Sequence, residues 1–268
     1  MRGARLRMGA AALIAATCIA LPSVASVAAA EDSASVAGAQ VPDAGIRPAP
    51  RPAVKAKLTA TAKARPVFRI APMVVQVGAS GPAVLEVQQR LAALHYDIGA
   101  VDGNFGFDSA HAVTAFQKLN GLSRTGIADD ATKARLDHPY MPSARYGGAA
   151  HIEVDLSSQV VYYVVGGSIQ RIMDASTGGG YDFVVDGVTH HAITPTGAFS
   201  FYQVIPGWWE SPVGPMYDSW FFLPTFALHG EGSVPSYPAS HGCVRITIPA
   251  MQRLYSSLYL GMTIYIYS

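Results

Sequence analysis

Cysteine is nearly absent from this chain. Only Cys18 and Cys243 occur in 268 residues, and Cys18 lies inside an apolar stretch at the N-terminus. Two thiols so placed do not make a disulfide scaffold. Net charge is small as well, +1 at pH 7, so nothing points to a nucleic-acid partner. Long apolar runs are also missing. The run from Met8 to Leu21 is short for a membrane span. It follows Arg2, Arg5 and Arg7 and leads to small residues ending Ala28-Ala29-Ala30, the pattern of a secretory signal peptide over residues 1–30 with cleavage near Ala30. Left uncleaved, the same run would tether the chain to a membrane. Ala15-Ala16-Thr17 before Cys18 makes a poor lipoprotein box. Removing residues 1–30 takes three arginines and no acid, which moves the net charge from +1 to −2 and leaves Cys243 as the single cysteine. The expected location is therefore outside the cytoplasm, in a periplasm or cell wall. An odd thiol in an exported protein suggests reactivity.

Chemistry-bearing residues concentrate between positions 229 and 245. The stretch reads His229-Gly230-Glu231-Gly232-Ser233-Val234-Pro235-Ser236-Tyr237-Pro238-Ala239-Ser240-His241-Gly242-Cys243-Val244-Arg245. A free thiol is only a few per cent thiolate at neutral pH. An imidazole within hydrogen-bond reach lowers its pKa and shuttles the proton. Either His229 or His241 suits that role. His241 lies two residues before Cys243, on the same side of an extended segment, while His229 is joined to it by a Gly/Pro-rich loop. Gly242 allows substrate to approach the backbone, and the amides of Gly242 and Cys243 suit an oxyanion. Arg245 is a fixed cation for a substrate carboxylate. The bland reading of a lone cysteine is a small buried hydrophobe, and of a lone histidine a structural one.

The whole string resembles the signature of the L,D-transpeptidase family, the YkuD-type catalytic domain. That signature is an upstream His-Gly, here His229-Gly230, and then Ser240-His241-Gly242-Cys243-Val244-Arg245. Arg245 stands where several members carry Asn, and the loop between the histidines is short. Thr194-Pro195-Thr196-Gly197 matches the family's Thr-Pro-x-Gly turn. The resemblance implies a β-sandwich over residues 149–268 with the Cys243 loop in a cleft. It implies two-step acyl transfer on peptidoglycan stem peptides, with Cys243 as nucleophile, D-Ala released, and an amine of a second stem resolving the thioester into a crosslink. His229 would be the base, oriented by the Gly230 carbonyl, with His241 in electrostatic support. Gly230, Ser240, Gly242, Arg245 and Tyr217 are the substrate-binding candidates. Tyr217 is included because members often carry a tyrosine on the substrate path. No cofactor and no metal is implied, and a monomer suffices. Water as acceptor would make the same machinery a carboxypeptidase. A zinc site of His229, His241 and Cys243 lacks paired-ligand spacing. A sortase expects a wider His-to-Cys gap. An inert wall-binding protein is the non-enzyme rival.

The remaining chain is organised around this region. Pro42, Pro48, Pro50, Pro52 and Pro66 break up residues 31–76, which read as a tether. Between Arg47 and Arg69 it carries seven basic residues and no acid, either a solvated linker or an attraction to anionic wall polymers or a membrane surface. Residues 77–138 read as three helices. Val84, Val87, Leu91 and Leu94, then Val113, Phe116 and Leu119, recur at helical spacing. With Gln88, Asp102-Gly103-Asn104-Phe105-Gly106 and Ala115-Phe116-Gln117, this unit resembles peptidoglycan-binding domains of the three-helix class. The fold class expected is thus α+β and multidomain, a small helical wall-binding unit followed by a mostly β catalytic domain. Residues 139–149, with Pro139, Pro142, Gly147 and Gly148, read as a linker. Alternating segments near 152–156, 160–165, 169–175, 197–204, 226–228 and 262–267 read as strands, and Ile248 to Leu258 as one helix. His190-His191 reads as a surface loop. Trp208-Trp209 and Tyr217-Asp218-Ser219-Trp220 suit either a glycopeptide groove or core.

Overall fold

The computed structural model describes residues 74–268. The expected signal peptide, its cleavage near Ala30 and nearly all of the basic tether lie outside the described residues.

Three helices come first: α1 (Pro82–Ala93), α2 (Phe107–Leu119) and α3 (Asp130–Asp137). Pro82 opens α1, where a missing N–H costs nothing. Val84, Val87 and Leu91 recur at helical spacing and are fully buried. Asp129 caps α3, its side chain accepting the Thr132 N–H at 2.8 Å. Two buried glutamines hold the connecting loops. Gln88 accepts from the amides of Asp102 and Gly103 and donates to the Asn104 carbonyl. Gln117 accepts from Thr125 and Gly126 and donates to the Ile127 carbonyl. Each loop's backbone groups are satisfied by one amide side chain. Val75 pairs with Ala128 in an isolated bridge, so the helical unit includes a residue two positions upstream of the expected boundary.

Eleven strands and one helix follow: β1 (His151–Asp155), β2 (Val160–Val165), β3 (Ser168–Ser176), β4 (Asp182–Val185), β5 (Val188–His191), β6 (Gly197–Ser200), β7 (Gln203–Ser211), β8 (Gly214–Leu223), β9 (Phe226–Glu231), β10 (Val244–Thr247), α4 (Ile248–Tyr255) and β11 (Thr263–Tyr267). Nine strands make one sheet in the order β6-β11-β1-β2-β3-β10-β9-β8-β7, and β4-β5 form a separate hairpin. The large sheet curls until its halves face each other, with the rings of Phe199 on β6 and Phe222 on β8 5.6 Å apart. Ile152, Val154, Val161 and Met173 from one half meet Leu228, Val244 and Ile246 from the other, closed by Met251 and Leu254 of α4. Each such side chain contributes about 1.5–3 kcal/mol by leaving water. His190 and His191 lie on strand β5, not in a loop, because residues 182–191 pair as a hairpin. Trp208 and Trp209 sit on β7, which pairs with β8.

The helical unit and the sheet share a core. Alternate residues of β2 point opposite ways. Val161 faces the inner core, while Val160, Tyr162 and Val164 pack with Val84, Leu91 and Phe116 of the helices. A polar cluster reinforces the contact. Buried Asp174 of β3 accepts from Lys118 Nζ at 2.5 Å and lies 2.7 Å from His111 Nδ1, both on α2. Lys118 also donates to the carbonyls of Gln159 and Ala175. Burial pushes the Lys118 amine down from its ordinary value, opposed by Asp174. Arg253 of α4 reaches Asp97 at 2.7 Å and Asp108 at 2.9 Å. The segment expected as a linker is fastened too: the amides of Arg145 and Tyr146 donate to buried Glu153, and the Tyr146 ring stacks on Tyr265 at 3.9 Å.

Candidate active site

Two adjacent parallel strands set out the site. In β9 and β10, Leu228 pairs with Val244, His229 with Arg245 and Gly230 with Ile246. Leu228, Val244 and Ile246 take the inner core. The alternating residues His229, Glu231, Cys243 and Arg245 line one cleft of about 240 Å³ on the other side, with Ser240, His241 and Met216. The i, i+2 spacings His229/Glu231 and Cys243/Arg245 put four chemistry-bearing side chains on one face.

His229 is 2% exposed. Its Nδ1 lies 3.0 Å from the Gly230 carbonyl. A carbonyl only accepts, so Nδ1 carries the proton and Nε2 keeps its lone pair. Burial, with Arg245 adding to it, pushes the His229 pKa down to about 4, and the Gly230 carbonyl only partly opposes this. Burial pushes the Cys243 thiol up, resisted by a backbone hydrogen bond from Ala227 and by Arg245. The Sγ–H also points to the Thr225 carbonyl at 3.7 Å. The resting pair is therefore a neutral thiol and a neutral imidazole.

The turn that presents Cys243 is held by hydroxyls. Ser240 Oγ donates to the Cys243 carbonyl at 2.6 Å and accepts the Gly242 N–H at 3.0 Å. Thr194 Oγ1 donates to the Gly242 carbonyl at 2.7 Å and accepts the Gly178 N–H at 2.9 Å. Gly242 has φ +137°, and a Cβ there would meet the Phe226 ring at 2.6 Å and the Ile193 carbonyl at 2.9 Å. Only glycine fits. Upstream, Ser176 Oγ donates to Tyr237 O, and Arg124 of the helical unit donates to Ser236 O at 3.0 Å.

His241 is positioned by the β4-β5 hairpin, with the rings of Phe183 and Tyr181 edge-on at 4.6 Å and 5.6 Å. Burial and then Arg245 lower its pKa. Among the described residues no three His, Cys, Asp or Glu side chains are grouped to hold a metal ion.

Of the expected site residues, the structure brings Cys243, His229, His241, Ser240 and Arg245 together in the cleft. Three stand apart. Tyr217 accepts from Gln252 of α4 at 3.3 Å, while its neighbour Met216 lines the cleft. Gly230 backs onto α4, where a Cβ would meet Ile248 and Met251 at 3.2 Å, so it offers the cleft no surface. Gly242 spends its N–H on Ser240 and its carbonyl on Thr194, which removes it from the oxyanion hole expected with Cys243. Sequence reasoning passed over Glu231 and the clamping role of Thr194. Glu231 carried a signal in its position two residues after His229, and Thr194 in the hydroxyl that opens the Thr-Pro-x-Gly turn.

A cysteine and a buried histidine in a cleft on the outer face of a curled sheet, with a helical unit fused to that same face, define a class of two-module proteins. Comparison with known proteins says which one. Residues 149–266 match the model of YkuD, the L,D-transpeptidase catalytic domain, and residues 80–136 match that of PG_binding_1, a peptidoglycan binding domain. A solved L,D-transpeptidase from Xylanimonas cellulosilytica is 39% identical, covers 75% of this chain and 100% of its own, and superposes with a TM-score of 0.71. The chain belongs to the L,D-transpeptidase family. Two curated relatives match only a short segment. The spore cortex-lytic enzyme of Bacillus cereus is 43% identical over 63 residues, 24% of either chain. The N-acetylmuramoyl-L-alanine amidase CwlL of Bacillus licheniformis is 44% identical over 62 residues, 21% of this chain and 17% of its own. The chain thus spans about a sixth to a quarter of those relatives.

Proposed function

We propose that this chain is an exported cysteine L,D-transpeptidase that remodels peptidoglycan. The observation that carries the reading is the shared cleft of Cys243 and neutral His229, whose Nδ1 is engaged by Gly230 and whose Nε2 is left as a base. In the first step the Cys243 proton passes to His229 and Sγ bonds to the carbonyl carbon before the terminal D-Ala of a tetrapeptide stem. The bond to D-Ala breaks, and His229 returns the proton to its amine. In the second step an acceptor amine bonds to the thioester carbon. The C–S bond breaks, and the surplus proton returns through His229 to Sγ. The product is a crosslink between the third residues of two stems. The Cys243 N–H is the proposed oxyanion donor. Arg245 takes a substrate carboxylate. His241 supports the site electrostatically. Export is supported by the pattern of residues 1–30, and retention at the wall by the helical unit's family.

Product analysis tests this reading. Incubated with tetrapeptide muropeptides, the parent releases D-Ala and yields crosslinked dimers. His229→Gln slows this by about 100-fold or more. Tripeptide products alone would make the enzyme a carboxypeptidase that uses water. Muropeptide binding without turnover, unchanged in Cys243→Ala, would make it a wall-binding protein.

A further inference from the structure

Among the described residues, one acidic and one cationic side chain line the cleft, Glu231 and Arg245. Each is only 19% exposed, and Arg245 Nε lies 3.9 Å from Glu231 Oε2. That distance is beyond a hydrogen bond. Arg245 Nε is buried without a hydrogen-bond partner among the described residues, while Glu231 Oε1 accepts the Gly232 N–H at 2.9 Å. The pair is thus anchored at the acid and open at the cation. A loose ion pair in a recess, too long for a hydrogen bond, complements a ligand with both charges close together. The strand register places them beside the reacting groups. Glu231 follows His229 by two residues on β9, and Arg245 follows Cys243 by two and pairs with His229 across β10.

We infer that Glu231 and Arg245 read the acceptor as an amino–carboxylate centre, Arg245 holding its carboxylate and Glu231 its ammonium, which gives one proton to Glu231, and from there to solvent, before the freed amine bonds to the thioester carbon. This rests on the transpeptidase reading above. In a peptide stem every backbone nitrogen is an amide, and the terminal residue offers a carboxylate alone. Ammonium and carboxylate meet on one carbon only at the far end of a diamino acid side chain that ends in a second amino acid centre, as in diaminopimelate. Lysine ends in an ammonium with no carboxylate. A diaminopimelate amidated at that carbon keeps the ammonium and loses the negative charge. Glu231 is therefore a specificity-determining residue, selecting acceptors with the free centre.

The test separates the two half-reactions on the full chain. The acyl-enzyme is formed with a tetrapeptide donor, with D-Ala release and adduct mass recorded. Its consumption is then timed with three tripeptide acceptors, carrying diaminopimelate, its side-chain carboxamide, or lysine. The expected result is at least ten-fold faster consumption by the free diaminopimelate acceptor than by either of the others. Glu231→Gln, which keeps an oxygen for Gly232, is expected to slow the acceptor step at least ten-fold more than acylation. Equal rates with the three acceptors overturn the inference without a variant. So does a Glu231→Gln enzyme slowed equally in both steps, which would place Glu231 with the donor or the fold. A folded, reduced parent that forms no adduct instead overturns the transpeptidase reading itself, and the inference with it.

Discussion

His229 sets the chemistry of the cleft by being neutral. Buried and beside Arg245, it has a pKa pushed from 6.5 to about 4, so at neutral pH it is ready to take a proton. The acylation rate should rise as pH increases through about 4 and then level off; below that, each pH unit should cost about ten-fold. A rate profile rising near 6.5 would contradict it. The same shift links to stability. Between about pH 6.5 and 4 the unfolded chain binds a proton at this residue that the folded chain refuses, so stability falls as pH drops across that window, by ~3 kcal/mol at its lower end. Urea titrations of the parent and His229→Gln should show this dependence in the parent and a flatter one in the variant. The sequence made these residues legible because His229, His241, Cys243 and Arg245 fall in one short segment. Glu231 was legible as a letter but not as a partner of Arg245. That pairing depends on the parallel register of β9 and β10, which joins residues fourteen apart through a loop of no regular structure.

The turn at Cys243 shows what an element adds. Its shape comes from Ser240 and Thr194, which satisfy the carbonyls of Cys243 and Gly242. Thr194→Val keeps the bulk and removes the hydroxyl, leaving a buried carbonyl and the Gly178 amide without that partner. A loss of about 1–3 kcal/mol is expected, together with slower acylation, by thermal melts and D-Ala release. Unchanged acylation would mean the turn holds its shape without the clamp. Most strands were legible by alternation, including β1, β2 and β3. The β7-β8 hairpin was not, because Trp208-Trp209 and Tyr217-Asp218-Ser219-Trp220 break the period, and the strands carry irregular registers between Ile205/Trp208 and Tyr217/Trp220. Tyr217 was chosen by the family resemblance rather than by period, and its hydroxyl accepts from Gln252. The β4-β5 hairpin was hidden for another reason. It is largely exposed on both faces, so it carries no apolar alternation to read.

At the scale of the molecule, the helical unit and the sheet are packed into one shared core. The two modules were legible as separate periodicities. Their fusion was not, since Val160, Tyr162 and Val164 alternate with Val161 as any strand would, and nothing in a sequence says which layer covers the second face. Asp174 and Lys118 lock the layers together. Asp174→Ala leaves the Lys118 ammonium buried and uncompensated, with an expected cost of about 3–5 kcal/mol. Calorimetry of the parent should show one transition for residues 74–268, and two separated transitions would contradict a shared core. Arg124 extends the fusion to the loop between the two cleft histidines through Ser236, so the helical unit also braces the cleft.

The central claim is that Cys243 is the acylated residue, and intact-protein mass tests it most directly. After incubation with a tetrapeptide stem, the parent should gain the mass of the stem less D-Ala, mapped to the peptide containing Cys243, and Cys243→Ala should gain nothing. A folded, reduced parent that stays at its own mass, or an adduct that persists in Cys243→Ala, would contradict the account.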